Sequence, residues 1–179
     1  MRKSIKKNSS ITKLAVASLL CSVAVVGSLF SFPIFGSKAA PVQHMVNVLA
    51  AVLLGPGYAV LTAFAASLIR NLLGLGSLLA FPGSMIGALF AGLFYQAHRK
   101  LIWALIGEVL GTGILGGLSA YPMAIAFMGI PSSSLTFYVY VIPFLLSTGV
   151  GAVLAGLLLV VLERSNVLRM MQNKLAAIH

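Results

Sequence analysis

The sequence predicts an all-α integral membrane protein, folded as a bundle of six transmembrane helices in one domain covering residues 1–179. Three observations lead to this prediction. The chain is 60% hydrophobic and only 8% charged, which is more apolar surface than a soluble domain of this size can bury. Six apolar segments follow one another along the chain. Lysines and arginines cluster at alternate ends of these segments, as in multi-pass proteins.

Each apolar segment is assigned one helix. The first covers residues 11–32 and follows a basic start. At 1.5 Å per residue it is long enough to cross a hydrocarbon core of about 30 Å, so it is interpreted as a membrane helix rather than a signal peptide. The second segment is short and ends at the strong break Gly55-Pro56-Gly57. No strand-like alternation is found. The remaining predicted helices are 42–54, 58–73, 82–97, 101–120 and 137–162.

The charges between segments orient the bundle. Basic residues lie in the tails 1–10 and 163–179 and in the turn Arg99-Lys100, so the positive-inside rule places both termini and this turn in the cytoplasm. The loops on the other face contain one charged residue, Lys38, with Arg70 just below them. These predicted outer loops are 33–41, 74–81 and 121–136.

Several classes of function are excluded or disfavoured by composition. The net charge of +10 is explained by topology, and no nucleic-acid footprint is expected. Cys21 is the only cysteine and the three histidines are scattered, so no disulfide and no metal site are predicted. The sequence has no G-x-x-x-x-G-K-[ST] phosphate loop and no nucleophile beside a base. We therefore expect neither catalysis nor a cofactor held by this chain.

Polar side chains near the outer ends of the segments predict a binding pocket. Arg70 lies about 20 Å from the inner end of the third segment. It is either a pocket donor or an arginine that snorkels to the outer headgroups. Gln43 and Asn47 are four residues apart and share a helix face, next to His44. These three suit a neutral polar ligand, or they cap the end of the helix.

Glu108 is the one acid inside an apolar segment. A lone carboxylate there must be paired, protonated or hydrogen-bonded. Its predicted partner is Arg70, provided that segments three and five are neighbours. An internal ion pair, a ligand contact and a proton site all stay open. Thr112 lies one turn further on the same face and is expected to share the hydrogen bonds of Glu108.

Two further groups are candidates. Asn71, Gly76 and Ser77, within RNLLGLGS, are predicted to form part of the pocket wall. Tyr121, at the start of a long apolar loop from 119 to 140 predicted to cover the pocket, either stacks on a ring or belongs to the interfacial aromatic belt.

Small residues repeat along the first segment at a spacing that allows helices to approach closely. They serve either internal packing or contact with a second protein chain. These residues are Ala17, Cys21, Ala24 and Ser28.

Two stretches carry a resemblance to a known family: PVQHMVNVLAAVLLGPGYAVLTAFAASLIRNLLGLGSLLAFPGSMIGALFAGLFY (41–95) and GEVLGTGILGGLSAYP (107–122). They resemble the ThiW family, substrate-binding S components of energy-coupling-factor (ECF) vitamin importers. The resemblance implies a six-helix S-component fold in the bacterial cell membrane, with a pocket near the outer face for hydroxyethylthiazole, a thiamine precursor. It also implies three partners: a transmembrane coupling protein, docked on the small residues of the first helix, and two ATP-binding cassette subunits that use the ATP.

The chemistry of the outer loops favours a neutral ligand. Thiamine is a cation and calls for an acid or an aromatic cage, whereas the outer loops contain no Asp or Glu. A thiazole alcohol needs only stacking and a few hydrogen bonds. Thiamine and hydroxymethylpyrimidine stay as alternative substrates. The rival classes are a stand-alone secondary transporter that uses Glu108 and Arg70 as a proton-linked pair, and an integral-membrane enzyme or assembly protein.

Overall fold

The computed structural model describes residues 2–34 and 37–176, of which residues 2–9, 37 and 176 are described by their backbone alone. The described chain is a helical bundle with one small hairpin. Short 3₁₀ turns follow α1 (Ser28–Phe30) and precede α7 (Ser132–Ser134). The elements are α1 Arg2–Gly27, β1 Phe32–Ile34, β2 Ser37–Ala39, α2 Pro41–Leu54, α3 Pro56–Leu72, α4 Ala80–His98, α5 Leu101–Glu108, a π-helical segment Val109–Gly116, α6 Gly117–Met128, α7 Val141–Arg164 and α8 Val167–Ala176.

Polarity is inverted relative to a soluble protein. Fully buried side chains include Glu108, Asn47 and Thr112, while large apolar side chains such as Leu19 and Leu157 are exposed. Water would penalise this arrangement, whereas lipid favours it because hydrocarbon solvates leucine and not carboxylate. The prediction of an all-α membrane protein agrees with this arrangement.

Within the described residues, three helical stretches are long and apolar enough to cross a membrane: Ser10–Phe30, Leu101–Met128 and Val141–Arg164. Length and composition therefore identify three crossings where the sequence predicts six. The difference has physical causes in two of the remaining helices. The 14 residues of α2 extend only about 21 Å, and α3 carries the charged Arg70 near its end.

The fifth helix is longer than predicted. Leu101–Met128 forms one continuous helical stretch of 28 residues, which passes through Tyr121 and Pro122. The predicted loop from 119 to 140 is therefore wrong over its first ten residues. Proline usually ends a helix because it lacks an N–H donor, but membrane helices tolerate it where neighbouring groups re-satisfy the freed carbonyl.

Two elements were not predicted. In the first predicted outer loop, β1 and β2 form an antiparallel hairpin in which Phe32 pairs with Ala39 and Pro33 with Lys38. Beyond residue 163, where a tail was predicted, α8 packs back on the bundle and buries Leu168 and Leu175. The end of the bundle that carries β1 and β2 is called the hairpin end below.

The centre of the bundle is formed by α2 and α4. Each of them packs against both α3 and α5, and α2 also packs against α7. Glycines let α4 approach the π-helical segment closely: a Cβ on Gly111 would lie 2.8 Å from the Cα of Gly87. This close approach brings polar groups of the two segments within hydrogen-bonding distance.

Candidate ligand-binding site

A cavity opens at the hairpin end, where β2, α2, α3, α4, α7 and the π-helical segment meet. The space that the centre of a water-sized sphere can occupy inside it is about 30 Å³, so the cavity is small in this conformation. The lining residues are Lys38, Ala40, Gln43, His44, Arg70, Ser77, Ala80, Gly83, Ser84, Thr112, Phe144 and Ser147.

A chain of hydrogen bonds runs behind this cavity from Arg70 to Glu108. Arg70 Nη1 donates to Gln43 Oε1 (3.2 Å), Gln43 Nε2 donates to Asn47 Oδ1 (3.3 Å), and Asn47 Nδ2 donates to Glu108 Oε1 (3.0 Å). The Asn47 amide also donates to the Ser84 carbonyl (3.1 Å). Because an arginine only donates and a carbonyl only accepts, both ends of the chain fix the orientation of the two amides.

Three donors converge on a single oxygen of Glu108. Its Oε1 lies 3.0 Å from each of His44 Nδ1, Asn47 Nδ2 and Thr112 Oγ1. The bond to Thr112 is the one that the four-residue spacing predicted. The Thr112 hydroxyl also lies 3.1 Å from the Gly83 carbonyl oxygen, so its single hydrogen is shared between two acceptors, one of which lies on α4.

The predicted pair between Arg70 and Glu108 is wrong. Glu108 Oε1 lies 3.0 Å from His44 Nδ1 instead, and Gln43 and Asn47 separate the carboxylate from the guanidinium. The prediction required segments three and five to be neighbours, but α2 and α4 lie against both of them. Arg70 is only 2% exposed and bonds Gln43 inside the bundle, so the snorkelling alternative does not describe it either.

Two buried atoms of this network have no hydrogen-bond partner among the described residues: Arg70 Nε and Glu108 Oε2. Position 87, beside Glu108 Oε2, requires glycine. A Cβ there would lie 2.7 Å from this oxygen and would overlap the Thr112 hydroxyl. The Arg70 side chain lines the cavity and carries donors beyond the one that Gln43 accepts. It is therefore available to a ligand.

His44 is oriented by Glu108. With Nδ1 directed at the carboxylate, the imidazole donates from Nδ1 and keeps Nε2 for another partner. His44 lines the cavity, so the wall offers an acceptor at this residue and donors at Arg70.

The Asn71 side chain stabilises the loop after α3 and does not line the cavity. Its Nδ2 donates to the carbonyls of Ser67 (2.8 Å) and Ser77 (3.1 Å), which folds the stretch after α3 back on that helix. The N–H groups of Leu75 and Gly76 both donate to the Arg70 carbonyl. As a result the loop brings Ser77 to the cavity.

The hairpin covers the cavity from the other side. The Ala40 N–H donates to Ser147 Oγ on α7 (3.0 Å), a buried bond across 107 positions of the chain. Lys38 Nζ lies 3.4 Å from the Gly74 carbonyl oxygen, which joins the hairpin to the loop after α3. These two contacts hold both covering segments over the cavity.

The predicted pocket residues fall into three groups. Gln43, His44, Arg70, Ser77 and Thr112 line the cavity, Asn47 and Glu108 support them from behind, and Asn71, Gly76 and Tyr121 do not line it. Tyr121 is half-buried on α6, where the helix continues through the predicted loop.

The cavity has further lining residues that sequence reasoning missed. Two of them had a signal: Ser147 begins a polar Ser-Thr pair inside an apolar helix, and Lys38 is the single charge of the outer loops. Phe144, which supplies the one phenyl ring of the described lining, had no such signal. The others are Ala40, Ala80, Gly83 and Ser84.

The small residues of α1 face the interior. Cys21 and Ala24 pack in one cluster with Val46 and Ala66, on α2 and α3. Their burial agrees with internal packing, and Ala17 and Cys21 also line an open groove between α1 and α3. All four residues are buried: Ala17, Cys21, Ala24 and Ser28.

Comparison with known proteins identifies the family. No curated protein matches the chain. The sequence model of the family described as thiamine-precursor transporter protein (ThiW) matches residues 14–165, which include every element that builds the cavity. The chain therefore belongs to the ThiW family of thiamine-precursor transporter proteins.

Proposed function

We propose that this chain is the substrate-capturing S component of an ECF importer and that hydroxyethylthiazole binds in the cavity at the hairpin end. In this proposal α1, α2, α3, α4, the continuous stretch Leu101–Met128 and α7 each cross the bacterial cell membrane. Both termini lie in the cytoplasm, where the basic tails interact with anionic headgroups. The hairpin end then faces outward, toward the ligand supply.

The observation that carries the substrate proposal is the chemistry of the cavity wall. Of the described residues that line it, Lys38 and Arg70 are positively charged and none is acidic. Such a wall repels the thiazolium cation of thiamine. A neutral thiazole offers a ring face to Phe144, a ring nitrogen to the Arg70 donors and a hydroxyl to His44.

The same geometry argues against a proton-linked secondary transporter. A proton-linked transporter of this kind requires Arg70 and Glu108 to titrate as one pair, whereas two neutral amides separate them. Nothing in the described wall resembles a nucleophile with its base, so we propose capture without catalysis.

Energy would come from partners: a transmembrane coupling protein and two ATP-binding cassette subunits. We propose that the coupling protein contacts α1 along an open groove between α1 and α3. The buried Ala17 and Cys21 line this groove together with the exposed Ser18 and Ser22, and its far wall includes Leu61 of α3. Rigid-body toppling of the loaded chain would release the ligand inside.

Calorimetry on the detergent-solubilised chain tests the substrate. Hydroxyethylthiazole, thiamine and hydroxymethylpyrimidine are titrated side by side. The proposal predicts tight binding of the thiazole and at least about 100-fold weaker binding of thiamine, since burying a cation beside two others costs several kcal/mol. Tighter binding of thiamine, or of the pyrimidine, would move the assignment to that ligand.

Uptake by reconstituted vesicles tests the partners. We expect thiazole accumulation only when the coupling protein and both ATPases are present with ATP. Accumulation by this chain alone, driven by a proton gradient, would support the secondary-transporter class instead.

A further inference from the structure

The cavity wall carries positive charge that has no negative partner among its described lining residues. Arg70 on α3 and Lys38 on β2 both line the same space, and none of the described lining residues is a carboxylate. Permanent positive charge without a counter-ion is costly in a low-dielectric interior. The wall is therefore left with unmatched charge.

Arg70 carries most of this imbalance. It is 2% exposed, and its one side-chain acceptor among the described residues is the neutral Gln43 Oε1. Its Nε is buried without a partner. A guanidinium has five N–H donors in a planar fork, a geometry suited to two oxygens of one anion.

The nearest acid does not fill this role. Glu108 is fully buried behind the wall, and its Oε1 already accepts from His44, Asn47 and Thr112. Gln43 and Asn47 lie between it and Arg70. Glu108 therefore makes no direct contact with the Arg70 guanidinium.

Lys38 completes the positive end of the cavity. It sits on the exposed hairpin, and its contact with the Gly74 carbonyl oxygen is 3.4 Å, a long and weak hydrogen bond. An anion would outcompete that neutral carbonyl for the ammonium group.

We propose that the cavity selects anionic thiazoles and binds the phosphomonoester of hydroxyethylthiazole more tightly than the free alcohol, with the phosphate between Arg70 and Lys38. The thiazole part of this inference rests on the proposed function, whereas the anion part rests on the two cations alone.

Calorimetry on the full detergent-solubilised chain tests it, with the alcohol, its phosphomonoester and inorganic phosphate as titrants. We expect the phosphomonoester to bind at least about 10-fold more tightly than the alcohol, as charge-assisted hydrogen bonds replace neutral ones. Lys38→Gln, on the exposed hairpin, should reduce this preference about 3- to 10-fold. Arg169→Gln removes the same charge from α8, far from the cavity, and should leave the preference unchanged.

Arg70→Gln should abolish the preference, and its thermal midpoint shows whether it folds; if it does not, Lys38→Gln decides. A phosphomonoester that binds no better than the alcohol, or a preference equally strong in Lys38→Gln, overturns the inference and leaves the thiazole function standing. Binding of inorganic phosphate that depends on Lys38, without binding of either thiazole, supports the anion site and removes the thiazole function. Binding of none of the three removes both.

Discussion

Arg70 and Glu108 are joined through two amides and do not touch. The chain from the guanidinium to the carboxylate passes through Gln43 and Asn47, with donor–acceptor distances of 3.2, 3.3 and 3.0 Å. Three helical elements thereby share one buried network: α3, α2 and the end of α5. The network forms the floor of the cavity, so we expect changes in it to affect both stability and ligand binding.

Two buried threonines, one inside the network and one outside it, allow the contribution of the network to stability to be measured. Thr112→Val removes the hydroxyl that lies 3.0 Å from Glu108 Oε1 and 3.1 Å from the Gly83 carbonyl, and should destabilise the fold by about 1 to 3 kcal/mol. Thr148→Val is the matched control, because the Thr148 hydroxyl is buried without a partner among the described residues. That change should be neutral or stabilising. Thermal unfolding in detergent measures both, and equal midpoints for the two variants would contradict the network.

Two helical glycines, one tightly packed and one with open space beside it, test the close approach of the helices. Gly87→Ala places a methyl group against the Thr112 hydroxyl and the Glu108 carboxylate, and should cost about 1 to 3 kcal/mol together with most of the ligand affinity. A Cβ on Gly149 meets nothing within 4 Å, so Gly149→Ala should raise stability by up to about 1 kcal/mol through helix propensity. Chemical denaturation in mixed micelles checks both, and a stable Gly87→Ala variant that binds normally would refute the close approach.

The bond between Ala40 and Ser147 is expected to hold the hairpin closed. Ser147→Ala leaves the buried Ala40 N–H without its acceptor, so amide hydrogen exchange in the hairpin should accelerate about 10-fold or more. The control is Ser119→Ala, whose hydroxyl bonds only the Leu115 carbonyl in its own helical stretch. Exchange in the hairpin that is unchanged by Ser147→Ala would show that this bond does not tether it.

A glutamine attaches α8 to the far end of the bundle. The Val52 carbonyl has no donor at the position four residues on, because that residue is Pro56, and Gln172 Nε2 supplies one at 3.1 Å while also reaching Tyr95 Oη at 2.9 Å. Gln172→Ala should loosen α8 and speed tryptic cleavage at Lys174, with a loss of about 1 kcal/mol.

Asn173→Ala is the matched control for that experiment, because Asn173 is the exposed neighbour on the same helix. Equal cleavage rates in the two variants would show that the Gln172 bonds do not hold α8 in place.

Local relationships in the site were predictable, and long-range ones were not. Helical spacing correctly predicted that Gln43 meets Asn47 and that Glu108 meets Thr112, because four residues make about one turn. The pairing of Arg70 with Glu108 failed because it depends on which helices are neighbours, and α2 and α4 intervene. Spacing alone does not contain that information.

The misassigned residues illustrate the same limit. Asn71 has a polar side chain close to the cavity in sequence, yet its amide hydrogen-bonds the loop after α3. Cys21 and Ala24 fit a close helix contact, and the partner turned out to be within the chain. The hairpin escaped prediction because strands of three residues are too short for an alternating pattern to appear.

Filling the cavity tests the central claim most directly, that the space above the network is the thiazole site. Ala80 lines the cavity at the start of α4, while Ala97 is exposed at the other end of the same helix. Hydroxyethylthiazole is titrated into wild type, Ala80→Phe and Ala97→Phe, each with its thermal midpoint measured. We expect Ala80→Phe to fold and to bind at least about 100-fold more weakly, while Ala97→Phe binds like wild type. Equal affinity in all three proteins would show that the ligand binds elsewhere.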